Sequence, residues 1–325
     1  MVNIDIKYDN FLITGAHGFL GSHTVEVFRE NGANNIVTFS KKEYDLRNEE
    51  DVKKLFTTYK DIDIVIHIAA DVGGIKYSSS HPAQQYYNNI MMNTLILHYS
   101  YLNNVKKFVG IGSVCEYPEV TPVPFKESYV WNGYPVPSND AYGLSKRSLL
   151  AQSIAYNKEY NFNAIHLLPI NLYGPRDDFS LENSHVIPAL IIKFYEAKHS
   201  NKKFVEVWGS GEASREFVYV KDTAEAIYLA TMNYNKPDPI NIGTGDEIKI
   251  KDLAYLISDI TDYKGDIIFD KNKPEGQLRR KLDVSKAQKE LGFNAKTDFR
   301  EGLKKTIDWY KHNLLQSACN KVSNL

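Results

Sequence analysis

Short apolar runs rich in β-branched residues alternate with longer segments of helical periodicity through the first half of the chain. The runs lack strict alternation of apolar and polar residues, which indicates strands buried on both faces. The predicted strands are Asn10–Thr14, Asn35–Phe39, Ile62–Ile68, Lys107–Ile111 and Ala164–Pro169. The predicted helices are Leu20–Asn31, Asn48–Tyr59, Gln84–Asn103 and Ala141–Tyr160. This order predicts an α/β fold with a doubly wound parallel sheet covered by helices.

After about Gly174 the pattern changes to loops, short strands and further helices. The helices predicted there are Leu181–Ala197, Asp222–Met232, Lys251–Thr261 and Arg300–His312. We therefore expect a first domain over residues 1–174 and a smaller α/β substrate-binding region over residues 175–325. We also expect the chain to return to the first domain near residues 216–231 and 240–243.

Composition and charge narrow the possible partners. The 325 residues suffice for a large core without a metal or a disulfide, and no metal site is predicted. The 39 Lys and Arg residues almost balance the 40 Asp and Glu residues, so no broad field indicates nucleic acid or an anionic membrane. The two cysteines, Cys115 and Cys319, do not make the disulfide framework of a secreted protein. Because signal-peptide and membrane-spanning patterns are also missing, we expect a cytoplasmic protein with a small-molecule partner.

The segment FLITGAHGFLGS places Gly15, Gly18 and Gly21 between the first strand and the first helix. There, backbone without side chains can approach a pyrophosphate, and the helix N-terminus supplies partial positive charge. This context predicts a Rossmann-type dinucleotide site. The alternative is that the glycines only close a tight turn from strand to helix.

The second strand ends in TFSKKEYDL, with Ser40, Lys41 and Lys42 where an NAD enzyme usually carries an acid for the ribose 2′-hydroxyl. A lysine there can neutralise a 2′-phosphate, so the sequence favours NADPH over NADH. An ordinary solvated basic turn is the alternative interpretation.

In AYGLSKRSLL, Tyr142 and Lys146 lie four residues apart on a predicted helix and therefore share one face. A nearby ammonium stabilises phenolate, so we expect it to lower the tyrosine pKa from its usual ~10 and to make the phenol a proton donor and acceptor. Ser113, at the end of the strand in KKFVGIGS, is placed to hydrogen-bond the same substrate oxygen. With the glycine loop upstream, the three residues predict a site that moves a proton to or from a substrate oxygen.

The chain resembles the extended short-chain dehydrogenase/reductase superfamily, and within it the GDP-L-fucose synthases and related nucleotide-sugar epimerase-reductases. The resemblance covers about residues 10–312. It is carried, in the expected order, by GAHGFLGS, HIAADVGGI, IGSVCEYP, AYGLSK, NLYGPRDDF, NSHVIPALIIKF, WGSGEASREFVYVKDTA and PEGQLRRKLDVS. It implies NADPH-dependent reduction of the 4-keto group of a GDP-linked sugar, coupled to epimerisation at carbons 3 and 5. Homodimerisation is also typical of the superfamily and is expected here.

Epimerisation next to a ketone needs a base and an acid of intermediate strength on opposite faces of the sugar ring. Thiols ionise near ~8.5 and imidazoles near ~6.5, which makes Cys115 and His185 the candidates. The resemblance assigns both residues this role. Taken alone, a single cysteine is more often a small buried hydrophobe and a single histidine is usually structural. Two other activities therefore stay open, a 4-reductase served by a separate epimerase, with GDP-heptose as one substrate, and an epimerase that retains NAD.

The resemblance also implies the remaining contacts with the ligands. Further cofactor contacts are expected from His17, Phe19, Leu20, Asp45, Leu46, Ala69, Ala70, Pro169, Asn171 and Leu172. The sugar and base pocket is expected to use Asn171, Asn183, Val186, Lys193 and Trp208. Arg215 and Arg279, or its neighbour Arg280, suit bidentate contact with a diphosphate.

Two departures from the family pattern bear on this assignment. Ile192 and Lys193 stand where these synthases commonly carry an arginine pair, and Arg and Lys are not equivalent at such sites. Val114 replaces a serine, and Glu116 follows Cys115 where the family usually has an apolar or small residue. A carboxylate facing the site there would oppose thiolate formation, so Glu116 weighs against epimerisation more than against reduction.

Overall fold

The computed structural model describes residues 4–180, 184–273 and 276–322. Its strands are β1 (Asn10–Thr14), β2 (Asn35–Val37), β3 (Ile64–His67), β4 (Lys107–Ile111), β5 (Ala164–Pro169), β6 (Asn171–Tyr173), β7 (Phe204–Trp208), β8 (Ser214–Tyr219), β9 (Ile240–Ile242), β10 (Glu247–Lys249), β11 (Asp266–Asp270) and β12 (Arg279–Arg280). Its helices are α1 (Phe19–Glu30), α2 (Glu49–Thr58), α3 (Ile75–Ser80), α4 (Pro82–Leu102), α5 (Asp140–Tyr160), α6 (Val186–His199), α7 (Val220–Asn233), α8 (Ile250–Thr261), α9 (Ser285–Leu291) and α10 (Phe299–Val322).

A parallel sheet with the strand order β2-β1-β3-β4-β5-β9 forms the centre of the described structure. Successive residues of its strands face opposite sides. Phe11 and Ile13 of β1 pack with α1 and α7, whereas Leu12 packs with α2, α4 and α5. Helices therefore cover both faces, and the predicted doubly wound, Rossmann-type α/β fold is confirmed.

Most predicted elements of the first half occur, with ends that move by a few residues. The strands β1, β4 and β5 have the predicted bounds, while β2 stops at Val37 and β3 spans only Ile64–His67. The helix predicted from Leu181 instead begins at Val186, because His185 has an extended backbone. Its predicted residues 181–183 lie outside the described residues. Pro188 falls in the first turn of α6, where a missing N–H costs no hydrogen bond.

The remaining strands form smaller sheets next to the carboxyl edge of the large one. The strand β8 pairs with β10, β12 and β6, and β7 pairs in parallel with β11. A separate apolar core joins these strands to α6, α8 and α10. A deep cleft results between this part and the large sheet. Within the described ranges, no helix is long and apolar enough to cross a membrane.

Candidate active site

A cleft of about 1090 Å³ lies at the carboxyl edge of the large sheet. Residues directly after β1, β2, β3, β4 and β5 line it, and residues of α6, β7, β8 and β12 line the opposite wall. Open α/β sheets bind their ligands at this edge. The topology therefore collects in one place the side chains that follow five separate strands.

The glycine-rich loop forms the floor of the cleft at the end of β1. Gly15 has φ +68, and a Cβ on it would lie 2.8 Å from the backbone nitrogen of Ala69. A Cβ on Gly21 would lie 2.0 Å from the carbonyl oxygen of Gly15, so the first turn of α1 packs directly on the loop. The N-terminus of α1 faces the cleft through Gly18 and Phe19. This arrangement fits a pyrophosphate held by backbone N–H groups and the helix dipole.

The end of β2 provides the predicted basic residue but also contacts that the sequence did not predict. Lys41 lines the cleft and Lys42 does not. The hydroxyl of Ser40 donates to the carboxylate of Glu43 at 2.8 Å. Next along this wall, Arg47 donates from Nε to Oδ1 of Asp45 at 2.9 Å and from Nη1 to Oδ1 of Asn88 at 3.0 Å. Arg47 is therefore a second cation of this wall. No motif around it in the sequence predicts this role.

Ser113, Tyr142 and Lys146 meet in the middle of the cleft. Helix α5 carries both Tyr142 and Lys146, and the Nζ atom of Lys146 lies 6.0 Å from the centre of the Tyr142 ring. The same ammonium donates to the carbonyl oxygen of Ile111 at 2.8 Å, which ties it to the end of β4. Ser113 follows Ile111 by two residues and lies beside the phenol. The structure thus brings together the three residues predicted to act on a ketone.

One electrostatic prediction about this group is wrong. Burial raises the pKa of the Tyr142 phenol well above its ordinary value, and the Cys115 and Glu116 side chains add to the increase. Burial also lowers the pKa of Lys146 to about 8. The expected stabilisation of phenolate by the ammonium is outweighed because both groups are withdrawn from water. Tyr142 is therefore held as a neutral phenol, the form that donates a proton.

Cys115 sits in a short 3-10 turn, Val114–Glu116, directly after Ser113. Its backbone N–H donates to the Ser113 hydroxyl at 3.2 Å, and the side-chain amide of Asn139 donates to its sulfur at 3.1 Å. Arg147 of α5 donates from Nε to the carbonyl oxygen of Glu116 at 3.0 Å and from Nη1 to that of Gly133 at 2.8 Å. The turn is therefore fastened to the helix that carries the phenol.

The Glu116 side chain does not face the cleft. It is fully buried and contacts His166 of β5, with Oε1 accepting from Nε2 at 2.9 Å. The possibility that its carboxylate acts on the thiol from within the site is thus excluded by its orientation. The glutamate that departs from the family pattern at position 116 is therefore a buried residue behind the site and not a residue of the cleft lining.

His185 caps the N-terminus of α6 on the opposite wall and lines the same cleft as Cys115. Its side chain is exposed at the cleft surface, and partial desolvation there lowers its pKa while Asp178 opposes the change. At neutral pH the imidazole is therefore neutral and able to accept a proton.

The far end of the cleft is basic and aromatic. Lys193 and Lys273 each lie 5.6 Å from the centre of the exposed Trp208 ring, and Lys193 donates to the carbonyl oxygen of Glu206 at 2.9 Å. Arg215 lines this end and donates to the carbonyl oxygen of Ser214 at 2.7 Å. Such a surface suits a base that stacks and a phosphate that pairs with cations.

The predicted diphosphate contact of Arg279 is not supported. Its guanidinium lies outside the cleft and pairs with Glu247, while Arg280 lines the cleft and donates to Gln277 at 2.8 Å. Adjacent residues of β12 face opposite sides, so only one of the two arginines can face the ligand.

The other predicted contact residues, apart from Asn183, line the same cleft. Asn183 lies outside the described residues. The remaining predicted residues in the lining are His17, Leu20, Asp45, Leu46, Ala69, Ala70, Pro169, Asn171, Leu172 and Val186. Among them, Asn171 is fixed by donating to the carbonyl oxygen of Glu216 at 2.8 Å. The sequence predicted no contact role for Asn139, for Gln277 or for the Asp71–Tyr77 wall, although the motifs HIAADVGGI and PEGQLRRKLDVS contain Asp71 and Gln277.

Comparison with known proteins agrees with this geometry. Residues 11–243 match the model of the NAD dependent epimerase/dehydratase family. The chain belongs to this family. Within the family, it is 36% identical over 310 residues to the putative GDP-L-fucose synthase 2 of Arabidopsis thaliana, with 95% of this chain and 94% of that protein covered.

Solved structures of the family show the same architecture. A GDP-6-OMe-4-keto-L-xylo-heptose reductase from C. jejuni has a TM-score of 0.90 at 30% identity and covers 96% of this chain and 99% of its own. A GDP-L-fucose synthetase from Naegleria fowleri bound to NADP has a TM-score of 0.87 at 30% identity and covers 96% and 97%. The likeness extends over both the large sheet and the part that closes the cleft.

Proposed function

We propose that this chain is an NADPH-dependent oxidoreductase of nucleotide-sugar biosynthesis. It reduces the 4-keto group of a GDP-linked 4-keto sugar and couples the reduction to epimerisation at carbons 3 and 5. The observation that carries the proposal is the meeting of Ser113, Tyr142 and Lys146 with the glycine loop in one cleft. The full-length similarity to GDP-L-fucose synthases and GDP-sugar 4-ketoreductases supports the same activity.

The residues at the end of β1 and β2 fit NADPH. The close-packed glycine loop and the N-terminus of α1 suit its pyrophosphate, and Lys41 suits its 2′-phosphate. When bound there, NADPH supplies the hydride for the ketone carbon. Lys146 holds the nicotinamide ribose, and Ser113 holds the substrate oxygen by a hydrogen bond. Tyr142 donates its proton to that oxygen, so the hydride and this proton together convert the ketone to an alcohol.

Epimerisation uses the same ketone. A 4-ketone acidifies the hydrogens on carbons 3 and 5, so a base can remove a proton and an acid can return one on the other face. The neutral His185 imidazole and the Cys115 thiol lie on opposite walls of the cleft. Asn139 fixes the position of the sulfur. We propose these two residues as the acid and base pair.

A reductase without epimerase activity is the second candidate, because a heptose 4-ketone reductase is among the similar structures. Cys115 and His185 would then remain in the site without turning over. We further propose that residues 1–174, with returns near 216–231 and 240–243, bind NADPH and that residues 175–325 mainly bind the sugar. The Arg280, Arg215 and Lys193 side chains would hold the GDP moiety. The protein is proposed to act as a cytoplasmic homodimer.

A panel of GDP-linked 4-keto sugars, with NADPH consumption as the readout, tests the reduction. Tyr142→Phe should lower turnover by about 10²–10⁴-fold while leaving NADPH affinity nearly unchanged, since it removes only the proton donor. Full activity of this variant would refute the assignment, and NAD that co-purifies tightly would favour an NAD-retaining epimerase.

Incubation with a 4-keto sugar in deuterated water without NADPH tests the epimerisation. Deuterium at carbons 3 and 5 supports the bifunctional enzyme, and its loss in Cys115→Ser or His185→Gln assigns the residues. If neither carbon takes up deuterium, the epimerase activity is refuted and only the reductase activity remains.

A further inference from the structure

A carboxylate and an imidazole are buried together directly behind the proposed site. Glu116 and His166 are both fully buried, and neither lines the cleft. The carboxylate of Glu116 contacts Nε2 of His166 through Oε1 at 2.9 Å and through Oε2 at 3.2 Å. Burying an isolated charge costs free energy, so a carboxylate at this position requires a functional explanation.

The pair is connected to the site through the backbone of Ser113. Oε1 of Glu116 accepts a hydrogen bond from the Ser113 backbone N–H at 2.9 Å, and the Ser113 hydroxyl accepts from the Cys115 N–H. These reciprocal bonds form a capping box around the 3-10 turn. The pair also fills the space next to Gly112, where a Cβ would lie 2.2 Å from both Oε1 of Glu116 and Nε2 of His166.

The pair carries a net negative charge. Its carboxylate accepts hydrogen bonds from two donors, the Ser113 N–H and the His166 Nε2–H. The Nδ1 atom of His166 is buried and has no hydrogen-bond partner within the part of the chain that the structure describes. A second N–H at that atom would be an unsatisfied buried donor, so the imidazole is neutral with its proton on Nε2.

This charge acts on the groups of the site. The carboxylate accepts from the N–H of Ser113, two residues after Ile111, whose carbonyl oxygen accepts from the Lys146 ammonium. From this position the charge favours the protonated forms of Lys146 and Tyr142 and raises the pKa of each side chain. Burial has the opposite effect on Lys146 and brings its pKa to about 8. Of the other titratable neighbours, Cys115 also raises the pKa of Tyr142, whereas His67 is kept neutral by burial and by Lys146 itself. Arg147 contacts the Glu116 backbone and carries the same sign as the ammonium.

We propose that Glu116, held by His166, is a positioning residue that fixes the Ser113 turn and keeps the Lys146 ammonium charged during turnover. The inference rests on the proposed function, in which Lys146 holds the nicotinamide ribose as a cation. Neither side chain of the pair touches substrate or cofactor. Their effect reaches the reaction through Ser113 and Lys146.

The sign of the expected pH effect follows from the charges. Removing the negative charge of Glu116 lowers the pKa of Lys146 further, so the ammonium is lost at a lower pH than in the wild type. Neighbouring charges are poorly screened in a protein interior, so the loss of one of them moves a pKa by about one unit. The alkaline limb of both NADPH affinity and kcat/KM should therefore move down by about one pH unit in Glu116→Gln.

The control is Glu127→Gln. Glu127 is also a partly buried carboxylate that accepts a backbone N–H, from Asn241 at 3.0 Å, but it exerts no resolved effect on Lys146 or Tyr142. Its pH profile should superimpose on that of the wild type. A second test variant, Glu116→Leu/His166→Leu, removes both polar side chains together and so leaves no buried imidazole without its partner if Glu116→Gln folds poorly. Thermal unfolding identifies which variants are folded.

The experiment measures NADPH binding by fluorescence from about pH 6 to about pH 10, and then kcat/KM over the same range. A shifted alkaline limb in the folded Glu116 variants, with none in Glu127→Gln, supports the inference. Profiles that coincide with the wild type in a folded Glu116 variant overturn it. If no 4-keto sugar is reduced by the wild type, the proposed function fails, whereas the binding profile still decides the role of Glu116.

Discussion

The glycine loop allows the fold and the cofactor site to be perturbed separately. A Cβ on Gly21 would lie 2.0 Å from the carbonyl oxygen of Gly15 and 2.8 Å from the Cα of Ala16. A Cβ on Gly18 would meet the same oxygen at 3.2 Å, within a few tenths of an ångström of ordinary contact. Gly21→Ala therefore forces α1 away from β1 by about 1 Å or more, whereas Gly18→Ala requires only a small adjustment.

The displaced helix would disturb a close-packed core. α1 contributes Val25 and Phe28 to the cluster shared by β1 and α7. Overpacking of this kind costs about 1–3 kcal/mol or more, which lowers Tm by about 5 °C for a chain of this size. Gly18→Ala should leave Tm within about 1 °C but should weaken NADPH binding by about tenfold, because its Cβ enters the surface where backbone approaches pyrophosphate.

Differential scanning calorimetry and NADPH fluorescence titration measure the two effects on the same samples. Gly18→Ala serves as the matched control for Gly21→Ala, since both add one methyl group to the same loop. Equal Tm values for the two variants, or wild-type NADPH affinity in Gly18→Ala, would contradict the geometric argument.

Two further predictions concern lysines. Lys41→Glu should lower the ratio of kcat/KM for NADPH to that for NADH by about tenfold or more, because an acid replaces the cation that suits a 2′-phosphate. Lys42→Glu is the control, since Lys42 does not line the cleft. An equal change in both variants would refute the assignment. Burial lowers the pKa of Lys107 to about 7 while it donates to the carbonyl oxygens of Ala230, Thr231 and Tyr234. The unfolded state then binds more protons than the folded state between about pH 7 and about pH 10, so the free energy of unfolding should rise with pH by up to about 4 kcal/mol in this window. Urea unfolding of Lys107→Met should lack this rise, and an unchanged slope would show that another group causes it.

The sequence predicted the elements whose residues are apolar on both faces. The strands β1, β4 and β5 lie inside the sheet between two helix layers and have the predicted bounds, whereas β3, which is also interior, is shorter than its apolar run. The strand β2 is at the edge and has β1 as its sheet partner, and its predicted last residues do not pair. Periodicity identifies such elements better than it identifies their ends.

Two kinds of signal predicted site residues: spacing along one helix for Tyr142 and Lys146, and the motifs of the family resemblance for Cys115 and His185. Tyr142 and Lys146 are one helical turn apart, and this spacing alone places them together. The predicted direction of the Tyr142 pKa shift was wrong, because burial raises this pKa. The extent of burial depends on how β4, α5 and the 3-10 turn enclose the phenol. Which of Arg279 and Arg280 faces the cleft depends on the pleat of a two-residue strand. Because both residues are arginines, the sequence could not distinguish them.

Asn139, Arg47 and the Glu116–His166 pair were not predictable for a related reason. Each works through a partner far away in sequence, as Arg47 with Asn88 or Glu116 with His166. A single sequence contains no record of which polar residues meet after folding. The effect on the thiol was predicted only for a Glu116 that faces the site, and the fold alone shows that its side chain lies on the other side of the turn.

The hydrogen bonds from Arg147 to the carbonyl oxygens of Glu116 and Gly133 affect which parts of the cleft can accept substitutions. They join the phenol, the ammonium, the serine and the thiol into a single rigid piece before any ligand arrives. The facing wall is assembled from α6, β7 and β12, and Gln277 beside β12 holds it to the chain after the 3-10 turn by donating to the carbonyl oxygen of Glu119 at 2.6 Å. Exchanges around Lys193 and Trp208 on the facing wall leave the Arg147 contacts in place, so new sugar preferences can evolve there without disturbing the part that carries the phenol and the serine.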